Sequence, residues 1–185
     1  MRTLTEEERA LALSMARRAI QKALSGERYE PEELPPLFGD RRGVFVTLKR
    51  CGELRGCIGI PYPVMPLGEA IVESAISAAL CDPRFPPVRE RELAELKIEI
   101  TILTPPERLD CPPQERPLHV RVGRHGIIVR RGRTSGLLLP QVAVEYGWKE
   151  SEFLDHTCMK ARLERDCWRS EQVEILTFEG EIISE

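Results

Sequence analysis

A cysteine set between two glycines, in the segment Leu54–Gly59, constrains this chain more than any other feature. The apolar residues around it, which continue to Ile60, predict a β-strand. Glycine weakens a strand unless a bend, a bulge or a close approach requires it. Gly56 and Gly59 therefore indicate that something needs space beside Cys57. Two interpretations stay open: a small buried cysteine in a tightly packed strand, and a reactive or ligand-contacting thiol.

The thiol has a positively charged neighbour if the strand is regular. Side chains alternate along a strand, so Arg55, Cys57 and Gly59 would share one face. A guanidinium beside a thiol favours the thiolate, which is the nucleophilic form of cysteine. Nucleophilic catalysis also needs a base, and His125 and His156 are candidates, although sequence leaves open whether either of them meets Cys57. We expect Cys57 and His125 to be catalytic and Arg55, Gly56 and Gly59 to contact substrate.

Polar residues at two other places are further candidates for substrate binding. Asp82 and Arg84 flank a proline in a stiff loop, where they form either a structural ion pair or a substrate-orienting carboxylate and guanidinium. Gln141 and Glu145 lie four residues apart on a short predicted helix and share a face, either solvated or in contact with substrate. Metal-ligand spacings and the Walker and dinucleotide fingerprints are missing, so we expect no metal and no cofactor.

Further motifs follow the cysteine in a fixed order along nearly the whole chain. They are Asp82–Phe85 with Pro87, His125–Ile127, Gly136–Ala143 with Glu145 and Trp148, Phe153–Leu154, Cys158, Lys160–Ala161 and Trp168. Together with the Leu54–Gly59 segment, this ordered set resembles the AMMECR family. The resemblance implies an α+β fold, association with Memo-like or radical-SAM-like proteins, and no established reaction. Arg162 departs from the family pattern, which has glycine after the Lys-Ala pair.

The pattern of apolar residues also predicts an α+β fold, with a largely antiparallel sheet packed with helices. Thr5 and Glu8 form a capping box at the start of the first helix, and Lys97–Ile102 alternates strictly between polar and apolar residues. Strands are expected at 44–48, 54–60, 97–102, 119–122, 127–131 and 173–178. The first two strands form a hairpin that turns through Cys51–Glu53.

Length and composition indicate one domain, residues 1–185, with room for a small sub-lobe: the chain has 185 residues, and 42% are hydrophobic. It lacks a basic-then-apolar leader and an apolar run near 18 residues, so we expect a cytoplasmic protein without a membrane span. Asparagine is absent and 31% of residues are charged, which indicates a thermophilic source. Intracellular proteins of hyperthermophiles often carry disulfides, so the six cysteines can include one, in a pairing that sequence leaves open.

The segment Arg116–Val144 contains six arginines, two histidines and no acidic residue. This basic segment is either a solvated face that pairs with acidic neighbours or a site for a small anion or phosphate. Nucleic acid is not expected as a partner, because the segment has no aromatic residue to stack on bases and the whole chain carries a net charge of −3.

Two functions from different classes follow from these features. In the first, the protein is a thiol-dependent enzyme or modification component that acts on a small anionic or acyl substrate in a pocket around Cys57. In the second, it is a non-catalytic interaction module, whose glycines and prolines shape a groove for a Memo-like or radical-SAM-like partner. The sequence leaves open whether the protein is an enzyme.

Overall fold

The computed structural model describes residues 4–31 and 33–185. The helices are α1 (Glu6–Leu24), α2 (Leu67–Leu80), α3 (Arg116–His119), α4 (Pro140–Glu145) and α5 (Glu150–Lys160). The strands are β1 (Val44–Arg50), β2 (Glu53–Ile60), β3 (Leu96–Leu103), β4 (Glu107–Arg108), β5 (His125–Arg131), β6 (Thr134–Leu138) and β7 (Glu174–Ser184). The pairs β1–β2, β1–β3, β4–β7, β5–β6 and β5–β7 are all antiparallel. The predicted α+β class is confirmed.

The chain divides into two compact units. The first unit consists of Met1–Leu103 and Glu181–Glu185, and the second unit consists of Thr104–Gly180. Strand β7 therefore begins in the second unit and ends in the first. Each unit has its own cluster of buried apolar side chains.

In the first unit, α1 and α2 pack on β1, β2 and β3. Helix α1 begins with the predicted capping box, in which Thr5 Oγ1 accepts from the Glu8 N–H and the Glu8 carboxylate accepts from the Thr5 N–H. The predicted alternation of β3 is confirmed, since Ile98 and Ile100 are fully buried. The predicted hairpin is also present and turns at Cys51 and Gly52, which both have positive φ, as two-residue hairpin turns require.

In the second unit, β5 pairs with β6 on one side and β7 on the other. The strand expected at 119–122 is wrong: this stretch begins in α3, and β5 starts only at His125. Arg116 explains the difference, because it lies at the start of α3 with its side chain buried. Its guanidinium donates to the carbonyls of Trp168, Ser170 and Val173. This part of the basic segment is therefore structural.

A disulfide joins Cys158 and Cys167, so the expectation that the chain contains one is met in the second unit. Cys158 lies on α5 and is fully buried with Phe153 and Leu154 in the core of the second unit. Cys57 and the exposed Cys51 and Cys81 of the first unit are free thiols.

Candidate functional site

Cys57 lies on β2, which is the outermost strand of the first unit in the strand order β2-β1-β3. The backbone N–H of Cys57 donates to Asp82 Oδ2 at 2.8 Å, and its carbonyl accepts from Arg84 Nη2 at 3.2 Å. An outer strand presents one row of backbone groups without a strand partner. The Asp82–Arg84 loop therefore satisfies both outward groups of Cys57 and fixes the strand at this residue.

Asp82 is the buried centre of this arrangement, with 4% of its surface exposed. Besides the Cys57 N–H, its carboxylate accepts from the Arg84 N–H at 3.1 Å, from Nε at 3.0 Å and from Nη2 at 2.7 Å. The Arg84 guanidinium, together with these backbone N–H groups, holds the pKa of Asp82 well below its usual range. Asp82 is thus ionised at neutral pH, and the ion pair that the sequence offered as one alternative is present.

The sulfur of Cys57 has two polar neighbours. The Thr47 hydroxyl donates to Sγ at 3.3 Å, across the β1–β2 pair. The pKa of Arg84 is raised, mainly by its hydrogen bonds to Asp82 and to a smaller degree by the nearby Cys57 sulfur. The half-buried sulfur of Cys57 therefore lies beside a hydroxyl donor and a guanidinium.

Arg55 marks a break in the regular pairing of β2. Lys49 pairs with Leu54, but the next residue of β1, Leu48, pairs with Gly56. Arg55 is the extra residue of this β-bulge and has no partner on β1. We expected Arg55 and Cys57 to share one face because we assumed a regular strand, and that assumption is wrong.

The guanidinium of Arg55 binds a carboxylate of the first unit and not the thiol. It donates to Glu92 Oε1 at 3.0 Å and Oε2 at 3.3 Å, and to the Pro86 carbonyl at 2.9 Å. Arg84 takes the position beside Cys57 that the sequence had given to Arg55. Any contact of Arg55 with a substrate stays a prediction.

Thr47 is a site residue that the sequence reasoning missed, and the bulge explains why. A regular ladder that starts from the pair Arg50–Glu53 would place Thr47 opposite Gly56. The bulge shifts the register by one residue and sets Thr47 opposite Cys57. The predicted hairpin would have indicated a threonine near the thiol, but not its contact with the sulfur.

Both glycines next to the thiol are required by packing. A Cβ on Gly56 would lie 2.1 Å from the Ala78 carbonyl oxygen of α2. A Cβ on Gly59 would lie 2.3 Å from the Val44 carbonyl oxygen and 2.5 Å from the Phe45 ring. The glycines thus allow the close approach that the sequence indicated, and the groups that approach them belong to the protein itself. A substrate contact of either glycine stays a prediction.

The remaining predicted site residues belong to the second unit. His125 is the first residue of β5; burial lowers its pKa, and its buried Nδ1 has no hydrogen-bond partner among the described residues. Gln141 lies on α4 with a buried Oε1 that likewise has no partner there, whereas Glu145, at the end of the same helix, is exposed. The catalytic role of His125 and the substrate contacts of Gln141 and Glu145 stay predictions.

Within residues 4–31 and 33–185, no group of three or more His, Cys, Asp or Glu side chains is arranged to hold a metal ion. In the same part of the chain, no helix is both long and apolar enough to cross a membrane.

Comparison with known proteins confirms the resemblance read from the motifs. The family model AMMECR1 matches residues 13–183. A protein of Methanosarcina barkeri is 52% identical over 187 residues, covering 98% of this chain and 92% of that protein. A protein of Methanopyrus kandleri is also 52% identical, covering 98% and 90%. The crystal structure of an uncharacterized protein from Pyrococcus horikoshii matches with a TM-score of 0.91 at 48% identity, covering 98% of this chain and 93% of that one.

Proposed function

Since the chain belongs to the AMMECR1 family, and the names of these relatives state no reaction, we propose its function from the site itself: Cys57 is a reactive thiol that acts on a small acyl or anionic substrate. The thiolate attacks the carbonyl carbon of the substrate, so that a carbon–sulfur bond forms while the carbonyl π bond opens to an oxyanion, and the carbonyl re-forms when the leaving group departs. With an acyl substrate the leaving group departs with the electron pair of its bond and takes up a proton, and water then hydrolyses the thioester.

The observation that carries this proposal is the pair of groups at the sulfur. Thr47 donates its hydroxyl hydrogen to Sγ, and Arg84 brings a positive charge to the same place. Asp82 keeps that charge in position through two side-chain hydrogen bonds and is itself almost fully buried. The side chain of Arg84 is 53% exposed, so a substrate anion has access to the guanidinium. A carboxylate or phosphate matches its remaining N–H groups.

Limited labelling with iodoacetamide, followed by mass spectrometry of each cysteine, tests the proposal. Cys51 and Cys81 are exposed free thiols in the same molecule and serve as internal references. We expect Cys57 to react faster than both at neutral pH, although it is less exposed. Arg84→Gln and Thr47→Val should slow the labelling of Cys57 and leave Cys51 unchanged. Rapid labelling of both references with Cys57 untouched would exclude a nucleophilic role for Cys57.

The second candidate function is the interaction module that binds a Memo-like or radical-SAM-like partner. One observation favours it: two large apolar side chains lie close together in sequence and are exposed, Val144 on α4 by 59% and Tyr146 directly after α4 by 68%. Cys57→Ser separates the two functions because it keeps the shape of the site and removes the thiolate. The enzyme should lose all turnover and the labelling at position 57, whereas the interaction module should bind its partner as before.

A further inference from the structure

A second polar site lies in the first unit, in a cleft of about 670 Å³ between the end of the β1–β2 hairpin and the loop that follows α2. Its charged lining residues are Arg50, Arg55, Arg89, Arg91, Glu92 and Glu95. We call it the arginine cleft. Cys57, Asp82 and Arg84 are not among the lining residues, so the cleft is formed by other side chains than the thiol site.

Glu92 organises one wall of the arginine cleft. Its carboxylate accepts from Arg55, from Arg50 Nη1 at 3.3 Å and from the Arg89 N–H at 2.9 Å. The hydrogen bonds from Arg55, supported by the Arg89 N–H, lower the pKa of Glu92 to about 2, so this carboxylate is ionised at neutral pH. Arg50 also donates to Glu95 through Nε at 2.7 Å. Two guanidinium groups are thus held in place before any ligand arrives.

The other two arginines of the cleft, Arg89 and Arg91, are exposed, and neither forms an ion pair within the described part of the chain. Four arginines and two glutamates line the cleft, so its lining residues carry a surplus of two positive charges. Guanidinium groups present paired N–H donors that match the oxygens of a phosphate group. A phosphate monoester near neutral pH carries up to two negative charges, so it can balance this surplus.

We propose that the arginine cleft binds the phosphate group of a small phosphate monoester. Arg89 and Arg91 contact the phosphate oxygens, and Arg50 and Arg55 add positive charge from the wall fixed by Glu92. The cleft is larger than a phosphate group, and the half-buried Phe85 ring lies beside Pro86 and Pro87. These apolar surfaces receive the organic part of the ligand. The proposal goes beyond the reactivity of Cys57 and does not depend on it.

Isothermal titration calorimetry of the whole chain with inorganic phosphate and with phenyl phosphate tests the site. We expect phenyl phosphate to bind more tightly, and both affinities to fall with added salt because charges are screened. The double variant Arg89→Gln/Arg91→Gln should lower the affinity for both ligands at least tenfold. The matched control is Arg131→Gln/Arg133→Gln, which removes two exposed arginines from the β5–β6 hairpin of the second unit and should change affinity less than twofold.

Equal losses in the cleft variant and in the control would overturn the proposal, because they would show a general effect of net charge. The absence of saturable binding of both ligands in the millimolar range would overturn it as well. The cleft variant should melt at the wild-type temperature, since both side chains are exposed. Cys57→Ser should bind phenyl phosphate like the wild type, so failure of the thiol proposal and failure of this one are distinguishable.

Discussion

The two units of the chain are stabilised by different kinds of contact. The first unit buries apolar side chains of two long helices against three strands, and its cysteines are free. The second unit, whose helices are shorter, contains the Cys158–Cys167 disulfide and the buried guanidinium of Arg116 bound to three carbonyls. A small core contributes only a few kcal/mol of net stability, and small units commonly add covalent or polar cross-links.

The difference between the two units bears on where reactive and charged side chains are available to a ligand. The reactive thiol that we propose lies in the first unit, whereas the disulfide lies in the second. The six-arginine segment, in contrast, includes one arginine that serves the core of the second unit, and Arg124 forms an ion pair with Glu179 at 2.8 Å. Charge counted along a sequence therefore overstates the charge available to a ligand.

Arg116→Met is expected to have the largest effect on stability. Met keeps much of the side-chain volume but leaves three carbonyls of the second unit without their donor. Each unpaired buried carbonyl costs about 1 to 3 kcal/mol, so we expect a loss of about 4 kcal/mol in the free energy of unfolding. Urea denaturation measures this loss. Arg121→Met, which replaces an exposed arginine five residues away, is the control, and equal effects of the two changes would contradict the structural role of Arg116.

Removal of the disulfide by Cys158→Ala/Cys167→Ala should have the next largest effect. The bond spans nine residues of sequence, and closing a loop of that length stabilises a protein by about 2 to 3 kcal/mol. Hydrogen exchange should show the loss of protection in the second unit and wild-type protection in β1 and β3. Cys51→Ala/Cys81→Ala removes two free thiols as a control. Equal loss of protection in both units would contradict the claim that the disulfide stabilises the second unit alone.

Features formed by neighbouring residues could be predicted from the sequence. The capping box of Thr5 and Glu8 depends on residues three apart, and the hairpin turn at Cys51 and Gly52 depends on two adjacent residues. The strict alternation of β3 predicts its buried face for the same reason. These local features belong to α1, the β1–β2 hairpin and β3 of the first unit.

Contacts that join distant segments could not be predicted. Arg55 binds Glu92, which lies 37 positions later in the sequence. The only local sign of the β-bulge at Arg55 is the neighbouring glycine. Arg116 donates to carbonyl oxygens that lie more than fifty positions later in the sequence. In both cases the sequence shows the charge but not its partner, because the partner is selected by packing.

Gly56→Ala tests the packing of the first unit, with a smaller expected effect. The added methyl group would meet the backbone of α2, which cannot move as a side chain can. Overpacking of this kind costs about 1 to 3 kcal/mol, and we expect a loss near 2 kcal/mol. Gly39→Ala is a matched control, because a Cβ there has open space and the backbone φ is not positive. Its unfolding free energy should be unchanged or slightly higher, and a loss equal to that of Gly56→Ala would contradict close packing at Gly56.

Asp82→Asn should have the smallest effect, and that effect should depend on pH. The amide keeps one acceptor oxygen but loses the charge that pairs with Arg84, whose side chain stays half exposed and hydrated. We therefore expect a loss near 1.5 kcal/mol at pH 7, the lower end for a hydrogen bond to a charged group. Asp110→Asn, at an exposed carboxylate, is the control and should cost nothing measurable.

The pH dependence follows from the depressed pKa of Asp82. Because the folded-state pKa is lower than the unfolded value of about 3.9, the carboxylate contributes its full stabilisation above that value. The contribution falls as the pH is lowered toward the folded-state pKa. The difference in unfolding free energy between wild type and Asp82→Asn should thus be smaller at pH 3 than at pH 7, with the decrease below about pH 5, while Glu92 titrates alike in both proteins. A difference that stays constant over this range would show that the Asp82 charge contributes nothing, and that the loop is held by shape alone.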